Sequence, residues 1–381
     1  MAKIVIAGDM FPVKANMSLF TNGRTDKLFG EKILNLFSQA DLRICNLEGA
    51  LTDGNERCEK TGPHFYAPKT CVRAYKVLGI DCCMLANNHI TDAGHQGILD
   101  TMQILFDSGI NYIGAGSDKN HICRSLVYCI DNLKIGLYNV CETMYNKPTL
   151  EKGGAWLYDE YLVCKELSDL KRKCDYLIVI YHGGIEKFRY PSPEIRKRFH
   201  RMADSGADMV LSQHTHCIGC EEWYNGSYLL YGQGNFLLNN VRPGQTDEGL
   251  LIELFIEKGE ANVKKHLINW FDEGYVRYND NQIFTEFDYR SSKVKDEEYV
   301  SQLFQTFCQE ELPVYLNSFK SPAKSIRIIR KFFPNYYKRW LLYSWSRQNL
   351  LFTLHTLRSE QNRETAIMGL ESLLKDKVSN I

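Results

Sequence analysis

The chain has 381 residues, 44% hydrophobic and 24% charged, and its 46 Lys and Arg balance 46 Asp and Glu. That length suits two or three domains with a sizeable core, and the composition excludes collagen-like and disordered chains. A formal net charge of zero argues against a basic nucleic-acid binder or an acidic solvating tail as a description of the whole chain.

Short apolar runs rich in Val, Ile, Leu and Tyr predict strands at 3–8, 42–46, 81–86, 134–140, 176–181, 208–212 and 227–231. Between them the apolar spacing predicts helices over 31–40, 68–78, 95–108 and 193–203. Pro68 and Pro193 suit first-turn positions, and Gly79 and Gly109 act as stops. Alternation of this kind argues for a layered α/β domain, in which chemistry sits at the carboxyl ends of strands. Runs at 250–257 and 261–270 predict a hairpin finishing the sheet, and the rest reads as helices at 296–311, 324–333, 336–358 and 364–375. No apolar run reaches the ~18 residues of a spanning helix, and Met1-Ala2-Lys3 leads straight into a strand. A cytoplasmic address is therefore expected.

The 13 Cys are odd in number and scattered through apolar stretches, which suits packed thiols better than a secreted disulfide framework. Cys217-Ile218-Gly219-Cys220 is the only C-x-x-C and lacks the second pair that a structural zinc site requires.

Polar residues follow the predicted strands in an unusual set: Gly8-Asp9, Asn46-Leu47-Glu48, Asn87-Asn88-His89 with Asp92, His182-Gly183-Gly184 and His214-Thr215-His216. Carboxylates and imidazoles directly after buried strands are costly unless they share a partner. Asp, Glu, Asn and His together form the hard-to-borderline donor mix suited to Mn²⁺, Fe²⁺ or Zn²⁺. Taken one at a time, Gly-Asp also reads as a turn and Asn-Asn-His-x-x-Asp as a capped turn. The ordered set is what points to one or two divalent ions.

That ordered set resembles the CapA-type proteins of capsule and poly-γ-glutamate biosynthesis (PGA_cap), within the calcineurin-like metallophosphoesterase superfamily. The resemblance is carried by Ile4-Val5-Ile6-Ala7-Gly8-Asp9, Asn46-Leu47-Glu48-Gly49, Ala86-Asn87-Asn88-His89-Ile90-Thr91-Asp92-Ala93-Gly94 and His182-Gly183-Gly184-Ile185-Glu186. It continues through Gly206-Ala207-Asp208-Met209-Val210, His214-Thr215-His216 and Tyr231-Gly232-Gln233-Gly234-Asn235-Phe236, and covers 3–256. It implies a four-layer αββα metallophosphoesterase-like sandwich over 1–285, with a helical C-terminal appendage over 286–381. It further implies Asp9, Glu48, Asn88, His182, His214 and His216 as metal ligands. His89 is implied as the group that protonates the leaving oxygen, with Asp92 orienting it, and Asn46, Glu186 and Asn235 as substrate contacts.

Three departures qualify these expectations. The superfamily's Asp-x-His is Asp9-Met10-Phe11 here, so one imidazole is missing. Glu48 stands where a bridging Asp is usual. The family's His-Trp-Gly is His182-Gly183-Gly184, which removes an aromatic wall. With fewer ligands on the first site, one firmly held ion and one labile ion are expected.

The implied function is a metal-dependent hydrolase in capsule, cell-surface polysaccharide or poly-γ-glutamate biosynthesis, acting on an anionic polymer or a phosphorylated small molecule. Two other readings stay open: a γ-glutamyl amide hydrolase or ligase-like activity on the same metal site, and a non-catalytic accessory protein of a polymer-synthesis complex. From 312 to 359 there is no Asp or Glu, but there are nine Lys and Arg with interleaved aromatics. This stretch suits either packing on the rest of the chain or peripheral contact with an anionic membrane. Nucleic acid is not an expected partner, because no binding module accompanies the charge.

Overall fold

The computed structural model describes residues 1–144, 146–238, 248–257, 260–271, 273–316 and 346–378. The chain divides into two compact units, one of Met1–Cys58 with His64–Ser301, the other of Glu59–Pro63 with Gln302–Ile381.

In the larger unit the seven predicted strands are all present. Ala2–Met10, Leu42–Leu47, Cys82–Met84 and Asn111–Ile113 run parallel in a first sheet. The predicted hairpin is there as Glu248–Glu257 and Glu260–Phe271, and it extends this sheet antiparallel beside Ala2–Met10. It does not finish the sheet: Tyr275–Tyr278 adds a further strand beyond it. In the second sheet Leu133–Cys141, Tyr176–His182, Met209–Gln213 and Ser227–Gln233 are parallel, and Ser125–Ile130 and Ile218–Tyr224 close the two edges antiparallel.

The packing makes four layers. Ile4, Ile6, Ile44 and Met84 of the first sheet meet Leu137, Ile178, Ile180 and Leu211 of the second in one apolar core. Because side chains alternate along a strand, Val5, Cys45 and Cys83 face the other way. They pack with Ile33, Phe37, Tyr75, Ile98 and Leu105 from the helices Glu31–Ser38, Val72–Leu78 and Gly94–Asp107. Val179 and Val210 of the second sheet likewise pack under Val163 and Leu167 of the helix Glu160–Lys171 and Phe199 of the helix Pro193–Asp204. The expected αββα sandwich is thus read directly from its cores.

Local signals explain most element ends. Pro193 opens its helix behind Ser192, whose side chain accepts from Ile195 N, and Gly79 ends the preceding helix in the left-handed region. Pro68 instead stays extended, and a 3₁₀ turn, Lys69–Cys71, precedes the helix proper at Val72. The missing ladder donor of proline costs nothing there.

The two sheets are also stitched by buried amides at their common edge. Asn139 Oδ1 accepts from Ala86 N at 2.7 Å, Gln213 Nε2 donates to Ala7 O at 3.2 Å, and Gln233 Nε2 donates to Ile6 O at 2.8 Å.

On the outer face of the second sheet, Glu222 accepts two hydrogen bonds from Arg196, at 2.8 and 3.1 Å, and one from the Tyr231 hydroxyl at 3.0 Å. Burial alone would raise its carboxyl, but the hydrogen bonds and charge of Arg196 together with the His200 contact outweigh it and hold Glu222 below the ordinary carboxylate range. Its stabilisation is therefore full above the unfolded carboxylate value and is lost as pH falls through the depressed folded value. Glu222→Gln is expected to cost about 3 kcal/mol near neutrality. In thermal unfolding the gap to wild type should shrink as both chains are brought into acid. A pH-independent gap would remove the ion pair as its cause.

In the smaller unit the expected tail helices appear as Glu297–Leu316, which starts in the larger unit, and as Arg347–Arg358 and Glu360–Val378. Phe304 and Cys308 are fully buried, and Gln305 Nε2 donates to Ser372 Oγ at 2.8 Å. The helix expected at 324–333 lies outside the described residues, as does most of the basic 312–359 stretch. No helix among the described residues is long and apolar enough to cross a membrane. No disulfide joins the cysteines among the described residues.

Candidate metal centre

The carboxyl ends of strands from both sheets converge on one buried cluster. Asp9 ends the strand Ala2–Met10, whose pairing with Leu42–Leu47 shifts register between Ile6 and Asp9. Such bulges re-aim a side chain. The bulge depends on Gly8, since a Cβ there would lie 2.5 Å from Gly234 O. That close approach pairs Asp9 with Asn235 of the short parallel strand Asn235–Leu237.

Asn46 Nδ2 donates to Asp9 Oδ1 at 2.8 Å, and Asn87 Nδ2 donates to Asn46 Oδ1 at 3.2 Å. Both ends of the Asn46 amide are thus engaged in holding Asp9. His182 pairs its Nε2 with Asn88 Oδ1 at 2.9 Å and places its Nδ1 3.8 Å from Asp9 Oδ1. His214 and His216 follow the strand Met209–Gln213 with φ of 93° and 53°. Positive φ is costly for non-glycine residues and persists where the surroundings impose it. Here His214 N donates to Asp9 Oδ2 at 3.3 Å, and His216 Nδ1 lies 2.8 Å from Asn235 Oδ1.

Glu48 sits at the centre. It is fully buried, and neither of its oxygens accepts a hydrogen bond among the described residues. Its Oε1 lies 3.8 Å from His182 Nε2 and 4.0 Å from both His216 Nε2 and His89 Nε2. Burial, with the neighbouring Asp9 charge, pushes Glu48 well above the ordinary carboxylate range, and burial raises Asp9 as well. Burial, with His214 and His216 beside it, pushes His182 well below the usual imidazole value. A buried carboxylate without a donor among the described residues, beside a second carboxylate and three imidazoles, forms a donor set suited to a cation. Glu48, His214 and His216 each offer a ligand atom, all within 4.8 Å of one another. The residues present therefore fit a divalent ion.

His89 stands beside the cluster. Its Nδ1 lies 2.6 Å from Asp92 Oδ2, and its ring stacks on Phe65 at 4.1 Å between centroids. Glu186 is half-buried, and its charge contributes to the raised Glu48. The chemistry-bearing residues named from the sequence thus come to one place, with Glu186 at its margin.

Glu142 was not among them. It follows the strand Leu133–Cys141, is 2% exposed, places Oε1 3.7 Å from His214 Nε2 and accepts from Gly184 N at 3.4 Å. The signal that could have found it is the one that found Glu48, a carboxylate directly after a buried strand. A Cβ at Gly183 would press to 2.7 Å from the Tyr181 ring.

Two face-to-face sheets between helical layers, with carboxylates, amides and imidazoles gathered where their strand ends meet, define a metallophosphoesterase-like sandwich. The chain belongs to the bacterial capsule synthesis protein family PGA_cap, whose sequence model matches residues 3–240. It is similar to the capsule biosynthesis protein CapA of Bacillus anthracis, 26% identical over 52% of this chain and 50% of that protein. It is 24% identical to the PGA biosynthesis protein CapA of Bacillus subtilis, over 58% of this chain and 60% of that one. A probable polyglutamine synthesis accessory protein of Mycobacterium tuberculosis is 29% identical over 54% of this chain and 58% of its own length. The chain thus spans between half and three-fifths of these relatives' lengths.

Proposed function

We propose that this chain is a metal-dependent phosphoester hydrolase that works in the synthesis of a capsule or another anionic cell-surface polymer. The observation that carries the reading is Glu48, a buried carboxylate without a donor, ringed by imidazoles and flanked by the His89–Asp92 pair. Asp9, Glu48, Asn88, His182, His214 and His216 would hold one or two divalent ions. A bound ion there supplies Lewis acidity to a phosphoryl oxygen and lowers the pKa of water.

The remaining work falls to the chain's own groups. Asn46 fixes Asp9, and Asn235 fixes the His216 ring through Nδ1. Asp92 sets the proton of His89 on Nδ1, so Nε2 is the nitrogen presented toward Glu48 and the reacting group. In this role the His89 imidazolium gives its Nε2 proton to the leaving oxygen and is left as the neutral ring with its remaining proton on Nδ1, toward Asp92. The substrate class we propose is an anionic polymer or a phosphorylated small molecule, met at the cytoplasmic side of the membrane.

Hydrolysis of bis-p-nitrophenyl phosphate with added Mn²⁺, lost in Asn88→Ala and in His216→Ala, tests the reading. Release of glutamate from a γ-linked oligomer without phosphoesterase activity would replace it by amide hydrolysis. Phe11 in the place of the superfamily's imidazole favours a second reading, an accessory protein without catalysis. Retention of metal without turnover of either substrate would select it. Glu142 bears on the metal directly. A carboxylate behind a ligating imidazole typically tunes affinity about 10–100-fold, and Glu142→Gln is expected to weaken Zn²⁺ binding by that order in calorimetric titration. Unchanged affinity would leave Glu142 a packing residue.

A further inference from the structure

We propose that Phe65 is a positioning residue for His89, holding both its ring plane and its tautomer. This rests on the reading of His89 as the proton donor.

Two independent contacts from one residue converge on the His89–Asp92 pair. The Phe65 backbone N donates to Asp92 Oδ2 at 2.6 Å, the same oxygen that lies 2.6 Å from His89 Nδ1. The Phe65 ring lies against the His89 imidazole with centroids 4.1 Å apart and planes 18° from parallel. The main-chain contact stops the carboxylate from rotating away, and the ring contact stops the imidazole from turning about its own axis. Together they keep the His89 Nδ1 proton directed at Asp92 and hold Nε2 4.0 Å from Glu48 Oε1.

Phe65 is itself held. Its carbonyl accepts from Ala50 N at 3.1 Å, next to the short ladder of Ala50–Leu51 with Tyr66–Ala67. The far face of its ring stacks on Phe11 at 5.8 Å and 14°. Phe11 is 2% exposed and donates its backbone N to Leu237 O at 2.9 Å. Gly49 closes the stack from below: its φ is 148°, and a Cβ there would lie 2.7 Å from both the Phe11 ring and Phe65 O. The residue that replaces the superfamily's second imidazole is therefore the backing of this stack. What the position gives up as a ligand it returns as rigidity in Phe65 and, through Phe65, in His89.

The test uses full-length protein labelled with ¹⁵N and ¹³C in histidine, Zn²⁺-loaded and chelator-treated, at one fixed pH, with the His89 signals assigned by their loss in His89→Gln. Wild type is expected to show a single Nδ1-protonated tautomer, with its Cε1 proton moved upfield by the Phe65 ring. Phe65→Leu and Phe65→Met keep apolar bulk and the main-chain hydrogen bond to Asp92 without a flat face, and should leave the His89 ring mobile in ¹³C relaxation with no upfield shift. Phe65→Tyr should restore both. In kinetics, Phe65→Leu should lower kcat roughly 10–100-fold for phenyl phosphate esters at unchanged KM, with a much smaller effect on p-nitrophenyl esters, whose leaving group needs no proton.

An equally rigid His89 ring in Phe65→Leu and Phe65→Met overturns the proposal whether or not the protein turns over any substrate. A mobile His89 ring in those variants, alongside a His89→Ala protein with no leaving-group dependence, would uphold the positioning and overturn the proton-donor role alone.

Discussion

Glu48→Gln is expected to abolish the rise in melting temperature that divalent cations give the wild type, while leaving the chelator-treated protein as stable as before or more so. A ligand that binds only the folded state stabilises it by about 4 kcal/mol at a thousandfold excess over its Kd. Losing a carboxylate at the centre of the donor set removes that gain. Without metal the effect runs the other way. Glu48 is buried with no donor among the described residues and lies beside Asp9, so its charge is a burden to the fold, and a neutral isostere lifts it. Differential scanning calorimetry with EDTA and with Zn²⁺ reads both arms. A Glu48→Gln protein destabilised equally in the two conditions would mean that Glu48 serves packing rather than an ion.

His89→Ala is expected to lower turnover of phenyl phosphate esters by about 10²–10⁴-fold, the usual worth of a positioned acid, without changing bound metal. Its Nε2 lies 4.0 Å from Glu48 Oε1, and its Nδ1 lies 2.6 Å from Asp92 Oδ2. Removing it should therefore spare the ions, whereas His182→Ala, which strips a group standing 3.8 Å from both Asp9 and Glu48, should lose metal and turnover together. Elemental analysis beside the rate measurement separates the two. Metal loss from His89→Ala would make His89 a ligand and end its assignment as the acid.

Much of this was legible in the sequence because a strand end is a strong constraint. A run such as Ile4-Val5-Ile6 has to be buried on both faces, and whatever polar residue follows it emerges at the sheet's edge beside its counterparts on neighbouring strands. Asp9, Glu48, His182 and His214 could be gathered by that reasoning alone. Glu142 escaped it because Cys141-Glu142-Thr143 has no Asn or His beside it to mark the strand end as unusual. The strand Ile218–Tyr224 was hidden by Glu221-Glu222, which break the apolar run. Arg196 is what makes Glu222 tolerable inside, and that residue lies on a helix in another layer. The helix Glu160–Lys171 shows only a thin apolar stripe, Val163, Leu167 and Leu170, on an otherwise charged segment. Phe65 could not be found at all: its meaning lies in a ring stacked across the fold, and stacking leaves no periodicity behind.

The amides that join the sheets carry a consequence of their own. Asp9 and Glu48 belong to one sheet and His182, His214 and Glu142 to the other, so the cage is the gap between two plates and its width is set by whatever fixes one plate against the other. Asn139, Gln213 and Gln233 are the rivets, and none of them is among the proposed ligands. Lengthening or removing a rivet would retune the gap, and with it the preference among ions of different radius, while every ligand stayed in place. Ion choice in this fold is then open to change from positions that a list of ligands would never name.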